Sequence, residues 1–138
     1  MTIPKFRAWF KREQRMIESY DTLAIDYENE EIVTQKIYSE RGLAIERDIH
    51  SHDFDDVNLM QSTGLKDING KEIFEGDIVK LFDKDLYVVE WSSQEASYKL
   101  IPVDKQWSGC YFSNYENITK IIEVVGNIYE NPELLEEE

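Results

Sequence analysis

The residues best suited to chemistry lie together in one stretch, "HSHDFDD", where His50, His52, Asp53, Asp55 and Asp56 all carry metal-ligating atoms. Two histidines separated by one residue share a face if the segment is extended, as in some zinc and iron sites. Against this, the chain has only these two histidines, and its single cysteine, Cys110, lies far along the sequence. A closed tetrahedral site therefore lacks ligands, and both histidines are expected to be solvated in an acidic segment, with no metal held. Cys110, in "SGCYFSNYEN", would need a histidine to activate it. Its aromatic flanks Tyr111 and Phe112 suggest a small buried thiol instead. Acidic residues are too abundant for one general acid-base pair to stand out. The chain has no G-x-S-x-G, no phosphate-binding P-loop and no dinucleotide fingerprint. The expectation is a non-enzyme with no catalytic, cofactor or metal site.

Composition narrows the partners. With 29 acidic and 15 basic side chains in 138 residues, the formal net charge is −14, unevenly spread. Residues 1–20 carry five bases and two acids; residues 21–59 carry eleven acids and three bases; residues 128–138 carry five acids and no base. Such a surface repels phosphates and has no counterion-release term to exploit, so direct nucleic-acid binding is not expected. A hydrophobic fraction of 41% and an aromatic fraction of 12% are enough to build a core. No apolar run approaches a membrane span, the N-terminus lacks a signal-peptide pattern, and one cysteine suits a reducing compartment.

Most of the elements that must position these residues read as short strands. "KFRAWF" (5–10) alternates, with Phe6, Ala8 and Phe10 on one side and Arg7 and Trp9 on a wetter one. "MIESY" and "TLAIDY" follow. "NEEIVTQKIY" fits either a β-ribbon or a short helix. Residues 46–56, "ERDIHSHDFDD", are poor in core residues and read as an exposed linker or mobile loop. Beyond Val57 the signals sharpen. "VNLMQST" is a strand, Asn69-Gly70 suits a type I′ hairpin, "EGD" (75–77) is a turn, and "IVKLF", "LYVVEW" and "YKLIPV" are strands. Pro102 places a strand end at an edge. "NITKIIEVVGNIYE" is β-rich and broken near Gly126, and Asn131 is expected to cap a last turn opened by Pro132. Gly64, Gly70 and Gly76 fall between strands, so they are turn glycines and not a phosphate cradle. Four or five such strands predict a small half-open barrel. Two portions follow: 1–56, β-rich with an acidic loop, and 57–138, a barrel with an acidic tail.

Tyr87, Trp91, Trp107, Tyr111, Phe112 and Tyr115 cluster in the second portion. Most are expected to fill the barrel interior, while some could line a groove for a peptide.

The blocks "KFRAWF", "LMQSTGLKDINGKEIFEGDIVK" and "VVGNIYENPELL" resemble the YopX family, encoded by bacteriophages and prophages, in that family's order and over nearly the whole chain. One departure is Phe10, where the family pattern carries an acid. The resemblance implies a mainly β protein with an N-terminal β portion, a C-terminal SH3-like barrel and a homo-oligomeric state. It also implies the cytoplasm of an infected or lysogenic bacterium. It implies no activity and no site residues. The expected function is that of a non-enzymatic, homo-oligomeric protein-binding module with a host or phage protein as partner. In one arrangement, the basic N-terminal strand of one copy, with Arg7 and Lys11, pairs with the acidic middle segment of another. The alternative is an acidic mimic of DNA that occupies a nucleic-acid-binding host protein, using acids such as Asp53, Asp55 and Asp56.

Overall fold

The computed structural model describes residues 3–104, 108–114 and 117–136. The protein is mainly β: its described residues form twelve strands, and the only helical pieces among them are short 3-10 turns. The chain divides into two compact units, Lys5–Met60 and Gln61–Glu138, the latter including Met1–Pro4.

In the first unit, β1 (Phe6–Phe10) pairs antiparallel with β2 (Arg15–Ile17). A second sheet has the order β3-β4-β5, from β3 (Thr22–Asp26), β4 (Glu31–Glu40) and β5 (Leu43–Asp53). Ala8, Phe10, Ile17, Ile32 and Val57 form its core, with Ile25, Phe54 and Leu59 against them. Arg7 and Trp9 are also buried, so β1 is covered on both faces and has no wet side. The ambiguous "NEEIVTQKIY" is a strand, because every residue of β4 finds a ladder partner in β5. The expected loop at 46–56 is instead the outer strand β5 followed by a 3-10 turn, Phe54–Asp56. Its polar composition belongs to an exposed strand, whose backbone is satisfied by β4 even though its side chains face water.

The boundary between the units falls inside β6 (Val57–Lys66). In the second unit, β6 pairs with β7 (Glu72–Phe74). A curled five-stranded sheet follows, in the order β11-β10-β9-β8-β12, and forms the SH3-like half-open barrel. Its strands are β8 (Asp77–Leu81), β9 (Leu86–Ser92), β10 (Ser97–Pro102), β11 (Cys110–Tyr111) and β12 (Ile122–Asn127). Ile73, Val79, Leu81, Tyr87, Val89, Leu100, Cys110, Ile118 and Ile122 make its core, so Cys110 is the buried thiol expected.

Buried polar side chains fix the turns of this barrel. One carboxylate oxygen of Asp67, a residue only 5% exposed, accepts the Asn69 and Lys71 amides at 2.9 and 2.8 Å. The other accepts the Val124 amide at 2.9 Å, tying the turn to β12. This arrangement overrides the expected type I′ hairpin. Gly70 has φ +81° but Asn69 keeps a negative φ, and the Gly70 amide donates to the Asp67 carbonyl, as in a type I turn followed by a left-handed glycine. The type I′ signature appears instead at Phe82 and Asp83, with φ of +54° and +57°. Asp77, fully buried, accepts the Phe74 amide at 2.8 Å.

Near the C-terminus, Asn127 accepts the Tyr129 and Glu130 amides. Asn131 does not cap the 3-10 turn Pro132–Leu135; its side chain reaches back to accept the Asn127 amide at 3.1 Å. A Cβ at position 126 would lie 2.5 Å from that same oxygen, which accounts for Gly126.

Candidate functional site

The β4–β5 hairpin begins in the first unit's core and ends in solvent. Ile32 and Thr34 are buried, whereas every residue from Lys36 to Arg47 is exposed. Arg41 and Gly42, with φ of +52° and +79°, reverse the chain at its tip. The exposed length is unusually apolar. Ile37 and Tyr38 protrude from β4, and Leu43, Ile45 and Ile49 from β5, with Leu43 at 70% and Ile45 at 62% exposure. Ile37 lies opposite Arg47, and Ile49 opposite Gln35, so Ile37 and Ile49 share a face. Tyr38 lies on the other face opposite Glu46, with the Lys36 ammonium 5.3 Å from its ring centre. Pairing passes from Tyr38–Glu46 to Ser39–Ala44, leaving Ile45 as the extra residue of a bulge.

β5 is an outer strand of its sheet, so among the described residues its far row of N–H and C=O groups has no strand beside it. Its 11 residues span about 35 Å at the usual strand rise. Long apolar edges of this kind are templates for pairing with another chain. Beside the hairpin, a cleft of about 350 Å³ is lined by Arg15, Tyr20, Asp21, Gln35, Ile37 and Ser39, among others. The Gln35 amide closes one side by donating to the Tyr20 carbonyl and the Asp21 carboxylate, both at 3.3 Å.

The structure brings the two histidines together on one face of β5, their ring centres 6.2 Å apart. His52 lies opposite the buried Ile32 and packs its ring 4.0 Å from that of Phe10. Phe10 is thus the residue on which His52 rests. Burial, and after it the positive charge of a protonated His50, hold the His52 imidazole below its ordinary value. His52 also lines a small cleft of about 140 Å³ with Phe10, Arg12, Glu13 and Asp56. The carboxylates do not gather around the pair. Asp53 lies opposite Glu31 on the ladder, while the backbone carbonyls of Asp55 and Asp56 accept the Lys11 ammonium and amide. Among the described residues, no three His, Cys, Asp or Glu side chains are arranged to hold a metal ion.

Of the barrel aromatics, Tyr87 is core, Phe112 packs against the core and Trp91 is 47% exposed; Trp107 and Tyr115 lie outside the described residues. The residues missed from sequence are Leu43, Ile45 and Ile49. Leu43, Ile45 and Ile49 recur at every second or fourth position, a usable strand signal that Arg47 interrupts, and Ile49 alone of the three falls within the stretch 46–56 whose composition reads as an acidic loop. Among the described residues no helix is long and apolar enough to cross a membrane.

Fold and surface together define a small all-strand protein whose most distinctive exposed feature is an apolar hairpin arm. Residues 5–136 match the family described as YopX protein, and the chain belongs to that family. It is also similar to a solved structure, the crystal structure of protein EF1440 from Enterococcus faecalis. The two share 34% identity over 99% of this chain and 100% of that one, with a TM-score of 0.62. No curated protein matches the chain.

Proposed function

We propose that this chain is a non-enzymatic protein-binding module that self-associates through the β4–β5 arm. As an oligomer, it engages a phage or host protein in the cytoplasm of an infected or lysogenic bacterium. The observation that supports this reading is the arm itself, a long outer strand with Leu43, Ile45 and Ile49 in solvent. Water competes poorly for an edge whose side chains also bury apolar area on pairing. Charge does not forbid the contact. Over residues 31–53, Lys36, Arg41 and Arg47 offset three of the five acids Glu31, Glu40, Glu46, Asp48 and Asp53. Arg7 is buried, so the contact is assigned to the arm and not to the N-terminal strand.

The same interleaving leaves mimicry of DNA without a supporting observation. Lys36 stands opposite Asp48 on the ladder, and Asp26 is engaged by the backbone of its own turn. The test is sedimentation equilibrium on the full chain and on a Leu43→Asp, Ile45→Asp variant. The wild type should show a multiple of 16.3 kDa and the variant 16.3 kDa, both folded. A wild-type monomer, or an oligomer indifferent to the substitutions, would overturn the reading.

A further inference from the structure

The second unit carries a surface that the arm reading leaves unused. Trp91 on β9 and Tyr98 on β10 are cross-strand partners, with ring centres 5.0 Å apart and planes at 69°. They continue outward the row that holds Val89 and Leu100 in the core, so they stand at the barrel's open end. Tyr98 packs against that core, and its hydroxyl donates to the Ser62 carbonyl at 3.4 Å. Trp91 remains about half exposed.

One carboxylate, Glu75, lies beside this aromatic pair, whereas Glu90, which precedes Trp91 on β9, projects from the strand's other face. Glu75 sits on a turn held in place by its own amide, which donates to the Gln61 carbonyl, and by the Gly76 amide, which donates to the Val89 carbonyl at 2.8 Å. Burial first, and the charge of Glu90 second, push the Glu75 carboxyl above its usual range. Burial and the charge of Glu75 push the Tyr98 hydroxyl up as well. Among the described residues no side chain donates to Glu75 or pairs with it. A half-dry anion beside a second anion and two aromatic rings is an arrangement short of one positive charge.

The geometry points to a recognition site for an arginine side chain of a protein partner, its guanidinium stacked on Trp91 and donating to Glu75. Arginine fits because its planar group can lie on an indole face while its N–H edge meets a carboxylate. The site stands apart from the arm reading and does not depend on it; either can fail with the other intact.

The test titrates the isotope-labelled full chain with three peptides, Ac-Gly-Arg-Gly-NH2, Ac-Gly-Lys-Gly-NH2 and Ac-Gly-Gln-Gly-NH2, following the Trp91 indole and Gly76 amide resonances by NMR. The arginine peptide should move both saturably and more tightly than the lysine peptide, and the glutamine peptide should move neither. Trp91→Ala, followed at Gly76, should weaken Kd by about 2- to 5-fold, and Glu75→Gln by a similar factor of about 2 to 5. Asp48→Asn on the arm should leave Kd unchanged. No saturation, equal shifts with the glutamine or lysine peptide, or equal weakening by Asp48→Asn would overturn the assignment.

Discussion

The barrel and the arm use the same residue types for opposite ends. In the barrel, acids and amides serve as scaffolding, and Asp67, Asp77 and Asn127 among them are buried. Asp67 holds three backbone amides, Asp77 holds the Phe74 amide, and Asn127 and Asn131 hold the last turn together. In the arm, acids such as Glu40 and Glu46 are exposed, while isoleucine and leucine face water beside them. A polar side chain inside and an apolar one outside are the informative exceptions to ordinary burial. The first exception marks residues committed to folding. The second marks the surface left over for a partner.

That contrast can be broken at several points. The largest effect should come from Asp67→Ala. Removing a buried acceptor from three amides should cost about 3 kcal/mol or more in urea unfolding. A loss below about 1 kcal/mol would mean that water replaces the carboxylate and the turn is not built on it. Gly126→Ala comes next, at about 1–3 kcal/mol, because the new methyl displaces the Asn131 amide from the Asn127 N–H. Adding Asn131→Ala should then cost less than in the wild type, since the two changes remove one interaction.

A smaller effect separates the units by pH. The folded-state pKa of His52 lies below its ordinary 6.5, so the unfolded chain binds more protons in that window. Its contribution is therefore intact above about pH 6.5 and declines as pH falls towards the folded value. Unfolding curves at pH 7.5 and 5.5 should show wild-type stability dropping more than that of His52→Asn. Equal slopes would place the imidazole in water. The smallest effect belongs to the exposed acids: Glu40→Ala should change stability by less than about 0.5 kcal/mol.

The barrel was the more legible half because its signals are local. Alternating apolar residues marked its strands and Gly70 and Gly76 its turns without reference to distant contacts, whereas Gly64, expected between strands, falls inside β6 where the register with β7 shifts. Turn chemistry was less legible where a side chain reached across the fold. Asn69-Gly70 marked the right place, but Asp67 imposed a different turn, and the carboxylate's bond to Val124 lies 57 residues away. Phe82-Asp83 adopts the backbone that Asn-Gly usually signals; Asp83 is a residue type that tolerates a positive φ, but Phe82 is not. Asn131 looked like a helix cap and instead holds Asn127 from four residues on. The arm is hard to see in the sequence because the composition of "ERDIHSHDFDD" is that of a loop, whereas its hydrogen bonds come from the preceding strand. The histidine pair was placed on one face by strand geometry alone. That His52 rests on Phe10 depends on a contact between residues far apart in sequence, which no local pattern records.

The central claim is that β5 is an open edge that a second copy covers. Its most direct test is hydrogen–deuterium exchange of residues 43–53 at low and high protein concentration, with the barrel amides as internal reference. Protection in β5 that rises with concentration, while residues 77–81 and 86–92 stay constant, is the result predicted. Exchange in 43–53 that stays fast and unchanged, while assembly or partner binding protects some other segment, would contradict it.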